Sequence, residues 1–181
     1  MLQFFKIVCS SRFCWFLLFA VATTLEGFGL YFQYGLNFSP CVNCVYERAY
    51  FLGYVLVGFI GAMAANYLIV RFLCSAGFLA SSIGGILVAI DHYNAYTDPT
   101  SYGSKCKLMA SYPDFLPLDE IAPWMFKSFA LCTDKIDWSF FGQSMPFWIM
   151  LAFGVGTIVS FMMFISNFVK KKGANFGQLY N

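Results

Sequence analysis

A chain of 181 residues that is 60% hydrophobic and only 11% charged has too little polar surface to coat a water-facing globule, since an ordinary soluble domain is about a quarter charged. Its formal net charge of +2 leaves no electrostatic footprint for nucleic acid. The figures describe an integral membrane protein, and with no linker or repeat to divide it, residues 1–181 read as one membrane domain.

A membrane helix needs roughly 20 mostly apolar residues. Four windows meet that length: Phe13–Phe32, Val45–Ala65, Phe72–Ile90 and Met145–Phe168. The first has a basic start and an Ala20-Val21-Ala22 stretch, in the manner of a cleavable leader. Its apolar run continues past Ala22, so the first helix is expected to stay. Between the third and fourth windows lies a long polar excursion, residues 93–144. Within it, Tyr112–Leu131 is apolar enough to suggest a fifth crossing. It carries Asp114, Asp119, Glu120 and Lys127 and three prolines, 113, 117 and 123. Such charges and breaks do not suit hydrocarbon, and the segment is expected to lie on the membrane surface. The predicted fold is therefore an all-α, four-transmembrane-helix bundle with one long loop that carries a membrane-surface segment.

Basic residues near the span ends set orientation. Lys6, Arg12, Arg71 and Lys170–Lys172 fall on one side, and the short connection 33–44 has none. The long loop holds Lys105, Lys107, Lys127 and Lys135, but the balance favours both termini inside and loops 33–44 and 93–144 outside. Cys41, Cys44, Cys106 and Cys132 then share the compartment where disulfides persist. Cys9, Cys14 and Cys74 do not, and read as small packing residues. Seven cysteines are an odd number, so at least one has no intramolecular partner.

The motif SPCVNCVYER, Ser39–Arg48, opens the second span. A CxxC pair serves redox centres and zinc sites alike, and the four outer cysteines could supply four zinc ligands or two structural disulfides. The setting of Cys44 favours redox chemistry. It stands near a helix N-terminus, whose partial positive charge stabilises a thiolate, and Arg48 follows at i+4 on the same face. A cation inside the apolar layer is a functional candidate, unless it snorkels or pairs with Glu47. The only histidine, His92, emerges at the outer face after about 20 residues rising 1.5 Å each, so it reaches the depth of Cys44 and Arg48. Glu26, inside the first span, is assigned no chemistry. No GxGxxG or CxxCH motif offers a nucleotide cofactor or haem. A thiol pair bordering the bilayer points instead to a lipid-dissolved electron acceptor, of which a quinone is the simplest.

PCVNCVYER, the DHY triplet closing the third span, cysteines flanking FLPLDEIAPW, and WSFFGQSMPFW before the fourth span together resemble the bacterial disulfide bond formation protein DsbB family. The DsbA–DsbB–quinone relay keeps the bacterial periplasm oxidising. The resemblance implies an inner-membrane thiol:quinone oxidoreductase that reoxidises a DsbA-type periplasmic thiol oxidase. By it, Cys106 forms the mixed disulfide, Cys132 exchanges with the Cys41–Cys44 pair, and Cys44 passes electrons to ubiquinone or menaquinone beside Arg48 and His92. Asn43 departs from the apolar residue usual before the second cysteine. A paralogue dedicated to a specialised partner oxidase would share all these residues. A non-enzymatic four-span scaffold with structural disulfides, as in tetraspanins, would explain the long loop but not Cys41, Cys44 and Arg48. In the vitamin K epoxide reductase type the CxxC belongs to the last helix, unlike here.

Overall fold

The computed structural model describes residues 11–98, 100, 110–113, 116–132 and 138–168. In chain order the elements are α1 (Arg12–Tyr34), α2 (Val42–Ala64), α3 (Leu68–Thr97), the single turns α4 (Leu118–Ile121) and α5 (Pro123–Phe126), strands β1 (Ser139–Phe140) and β2 (Gln143–Ser144), and α6 (Met145–Ser166). The four long helices are all long and apolar enough to cross a membrane. Phe13, Leu68 and Ile158, each about 70% exposed, are apolar side chains on the outside of the bundle. That is the surface a lipid-facing helix presents.

The helices outrun their apolar windows where nothing stops them. Asp91–Thr97 contains no proline or glycine, and α3 continues through it until Asp98, just before Pro99. His92 therefore lies within α3 rather than just beyond it. Between α1 and α2 the chain reverses through Asn37, whose φ of 57° is a left-handed conformation that asparagine tolerates. Helix α2 then starts directly behind Pro40 and Cys41.

Helix α1 packs on α2, α2 on α3, and α3 on α6. Close approach depends on small residues, as is usual between membrane helices. A Cβ at Gly58 of α2 would fall 2.7 Å from the backbone nitrogen of Phe19 in α1, so this seam accepts only glycine. The bundle core holds Trp15, Phe51, Tyr54, Phe78 and Phe153. Phe51 stacks on Phe153 with centroids 4.4 Å apart, and the Tyr54 hydroxyl donates to Ser82 Oγ at 2.8 Å.

Helix direction brings the end of α1, the start of α2, the end of α3 and the start of α6 to one end of the bundle, together with the described residues 116–132 of the long connection. There β1 and β2 form a two-residue-per-strand hairpin. Its turn, Phe141-Gly142, has positive φ at both positions, as a tight hairpin turn requires.

Candidate active site

Cys41 is the N-cap of α2, and its sulfur accepts the backbone N–H of Cys44 at 3.3 Å. Sequence reasoning placed the helix N-terminus at Cys44. The cap itself is one residue behind proline, so the free N–H groups of the first turn point at Cys41, and Cys44 sits inside that turn. Both sulfurs are free thiols 3.0 Å apart. Asn43 is half-buried, and among the described residues its amide bonds neither sulfur.

His92 reaches the pair from α3. Its Nε2 lies 3.6 Å from Cys41 Sγ and 3.9 Å from Cys44 Sγ. Its Nδ1 is 2.9 Å from Glu47 Oε1, and both side chains are buried. A carboxylate on Nδ1 makes that nitrogen the donor and leaves Nε2 facing the thiols. Sequence reasoning considered Glu47 only as a partner for Arg48. Its one available signal was that it stands at i+3 from Cys44, in the same helical turn.

Arg48 turns the other way, toward α1 and the long connection. Nη1 donates to Gln33 Oε1 at 2.5 Å and to the Met125 carbonyl at 3.0 Å, and Nη2 donates to the Gly29 carbonyl at 2.9 Å. All three acceptors are neutral, so the guanidinium keeps its full charge while 9% exposed. These bonds also tie α1 and α5 to α2. Gln33 Nε2 and the Tyr34 hydroxyl both donate to the Trp124 carbonyl, at 3.3 and 2.6 Å. Met125 and Phe126 are buried against the bundle, while Ile121, Trp124 and Phe129 are exposed. The segment expected to lie on the membrane surface thus has one packed side and one bare apolar side. Tyr112 fastens its start, stacking edge-on with Tyr46 at 5.5 Å. Burial, and then the neighbouring Tyr46 and Asp119, hold the Tyr112 phenol well above its usual range, so it stays a neutral donor to the Val45 carbonyl at 3.4 Å.

Further along, Phe129 N–H donates to the Pro40 carbonyl at 2.9 Å, and Ala130 pairs with Cys41 as a parallel bridge. This strand-like contact delivers Cys132 to the thiols. Cys41, Ala95 and Cys132 form one buried cluster with Cys44 packed against it. Cys132 is disulfide-bonded, and Cys106 and Cys9 lie outside the described residues. Cys14 and Cys74 are at the opposite end of the bundle. Cys41, Cys44 and His92 could hold a soft metal ion, their ligand atoms lying within 4.8 Å of one another. A structural zinc takes a fourth ligand, which a disulfide-bonded Cys132 does not offer.

Two cavities meet at the thiols. The smaller, about 50 Å³, lies between Cys41, Cys44, His92 and Cys132. The larger, about 470 Å³, opens between α1 and α6, and Cys44, Glu47 and Arg48 form its polar wall. Phe28, Phe32, Trp138 and Trp148 supply flat apolar faces. Its volume is that of a small-molecule site. Sequence reasoning placed Arg48 and His92 around one ring. Arg48 borders the larger cavity, whereas His92 borders the smaller one, with Nε2 within 3.9 Å of both sulfurs.

Four spans with a thiol pair at one helix start, Cys41 buried and Cys44 half-buried, set between an imidazole and an apolar cavity, define a membrane thiol-redox protein. Comparison with known proteins agrees. The family described as "Disulfide bond formation protein DsbB" matches residues 11–163. The chain is 40% identical to "Disulfide bond formation protein B" of Mannheimia succiniciproducens, over 92% of each chain. It is 36% identical to the protein of that description from Pasteurella multocida, over 95% of this chain and 96% of the relative. The value for the one from Photobacterium profundum is 33%, over 94% and 96%. The chain belongs to the DsbB family, and is a multi-pass membrane oxidoreductase of disulfide bond formation.

Proposed function

We propose that the protein reoxidises a DsbA-type periplasmic thiol oxidase, passing electrons through Cys106/Cys132 and then Cys41/Cys44 to a membrane quinone. The observation that carries this reading is the position of Cys44, which belongs at once to the thiol cluster and to the wall of the 470 Å³ apolar cavity. The redox end of the bundle then faces the periplasm and both termini the cytoplasm.

The partner's thiolate attacks Cys106 of a Cys106–Cys132 disulfide, and Cys132 leaves as a thiolate. Exchange needs that thiolate within reach of the next disulfide, and packing of Cys132 on Cys41 supplies the reach. Attack at Cys41 of an oxidised Cys41–Cys44 pair re-forms a disulfide and releases Cys44 as the leaving thiolate. The partner's second thiolate then frees Cys106 from the mixed disulfide, and the Cys106 thiolate attacks Cys132 of the Cys41–Cys132 bond, restoring Cys106–Cys132 and releasing Cys41, so that Cys41 and Cys44 are both reduced. His92, held by Glu47, stabilises the anion on Cys44 from one side, and the Arg48 charge borders the cavity on the other.

The cavity fits a quinone head group on three counts: volume, aromatic walls, and a cation whose acceptors among the described residues are all neutral. A bound quinone would supply two-electron oxidising capacity, with ubiquinone and menaquinone both of suitable chemistry. Cys44, Arg48 and Gln33 are the residues that would hold it.

The test follows quinone reduction by the purified protein after addition of reduced DsbA. Turnover is expected in the wild type and absent in Cys44→Ser. In Cys132→Ser a mixed disulfide through Cys106 should accumulate. Wild-type turnover in Cys44→Ser would sink the relay.

A further inference from the structure

Glu26 has no part in the relay. It lies in the middle of α1, is 8% exposed, and neither carboxyl oxygen has a hydrogen-bond partner among the described residues. Buried polar groups are nearly always satisfied, and a carboxyl that receives no hydrogen bond is tolerated in an apolar interior as the neutral acid. The group is not sealed in the core. It lines the 470 Å³ cavity together with Cys44 and Arg48. It precedes by three residues Gly29, whose carbonyl receives Arg48 Nη2, so acid and guanidinium border the cavity one helical turn apart. The other titratable groups on the cavity wall, Cys44, Glu47 and Arg48, all come from α2; neither α6 nor the residues of the connections that line it contribute one.

An unsatisfied acid on the wall of a cavity needs an acceptor from whatever fills it. A hydrocarbon tail has none, but a ring carbonyl does. We propose that Glu26 is the acid that protonates one oxygen of the quinone as it is reduced in this cavity, which rests on the quinone reading above. The reaction balances without a further reagent. Oxidation of the Cys41 and Cys44 thiols to a disulfide releases two electrons and two protons. Both electrons go to the ring. Glu26 gives a proton to one ring oxygen, one thiol proton goes to the other, and the second thiol proton returns to the Glu26 carboxylate. The Arg48 charge nearby stabilises that carboxylate while it is deprotonated.

Two measurements test the assignment. In infrared difference spectra of the oxidised protein with and without a short-chain ubiquinone analogue, and with no thiol present, the carboxylic-acid C=O stretch should shift on binding in the wild type. The shift should be missing in Glu26→Gln. In a single turnover of pre-reduced protein, Glu26→Gln should form hydroquinone at least about 100-fold more slowly, the usual contribution of a positioned acid. Its affinity for the analogue should stay within about threefold, and trapping of the mixed disulfide in the Cys132→Ser background should be unchanged. Glu26→Asp should recover part of the rate. A wild-type rate in Glu26→Gln, or no carboxyl shift in the wild type with analogue bound, would overturn the assignment alone. A wild type that neither binds nor reduces the analogue would overturn the quinone reading instead.

Discussion

Both ends of the bundle bury a cysteine near an arginine. At the redox end these are Cys41, Cys44 and Arg48. At the other, Cys74 is 4% exposed, and beside it Arg71 Nε donates to Asn167 Oδ1 at 3.3 Å while Asn167 Nδ2 donates to Ser75 Oγ at 2.7 Å. Ser75 in turn donates to the Phe72 carbonyl at 2.9 Å. In that second set the Asn167 amide and the Ser75 hydroxyl close a chain of bonds between α3 and α6, beside a thiol packed among apolar neighbours. The first set is left open. Arg48 keeps an uncompensated charge, Glu26 keeps an idle acid, and Cys44 stands between a histidine and an apolar cavity. Burial is common to both ends, and what marks the redox end is a cavity whose wall combines a thiol, a guanidinium and an acid without a hydrogen-bond partner among the described residues.

Filling the cavity should break the contrast most severely. Ala152 of α6 lines it, as Cys44 of α2 does. Ala152→Phe should cut quinone reduction at least about 100-fold, since overpacking a shaped site costs on the order of 1–3 kcal/mol before any loss of binding contacts. Formation of the mixed disulfide with reduced DsbA should continue at the wild-type rate. Arrest of both steps together would mean that the cavity is structural packing. Arg48→Lys comes next. A lysine keeps the charge but not the fork that reaches Gly29, Gln33 and Met125. Losing two charged hydrogen bonds at about 1.5–3 kcal/mol each, partly offset by water, should raise KM for quinone roughly tenfold to a hundredfold. An unchanged KM would make the arginine a simple brace between α1 and α2.

What the sequence disclosed, and what it withheld, divides along the same line. Four spans were readable because hydrocarbon thickness imposes a length on apolar runs. The common depth of Cys44, Arg48 and His92 followed from rise per residue alone. The partners did not follow. Glu47 and Arg48 are adjacent, at i+3 and i+4 from Cys44, so periodicity puts both on the thiol side of α2. Which one meets His92 depends on whether α3 or α1 lies to that side. Two of the three acceptors on Arg48 are backbone carbonyls, which carry no residue identity to read. The path by which residues 129–132 return to Pro40 and Cys41 is likewise backbone pairing.

Glu47→Gln gives a smaller effect and sharpens the role of the histidine. The amide oxygen introduced there could still accept from Nδ1 and hold the ring in place, but it would no longer offset a positive imidazole. Turnover should fall about tenfold, less than the roughly 100-fold or more contributed by a positioned acid–base group, because the imidazole itself remains. Alkylation of Cys44 in the reduced protein should slow in parallel, because the thiolate is the reacting species. Slower turnover with unchanged alkylation would separate His92 from the thiol and assign it to the fold.

The smallest effect is expected at the closed end. Cys74→Ala removes a sulfur from among apolar neighbours and leaves every hydrogen bond of the Arg71–Asn167–Ser75 set in place. The cost should be about 1 kcal/mol of stability, that of a small cavity in a core, measurable as a modest fall in Tm in detergent. Quinone reduction and mixed-disulfide formation should both match the wild type. A loss of turnover without a loss of stability would mean that the two ends communicate through α3, the helix that carries Cys74 near its start and His92 near its finish. Residues along α3, such as Ser82 with its bond to Tyr54, would then join the redox site as part of one unit.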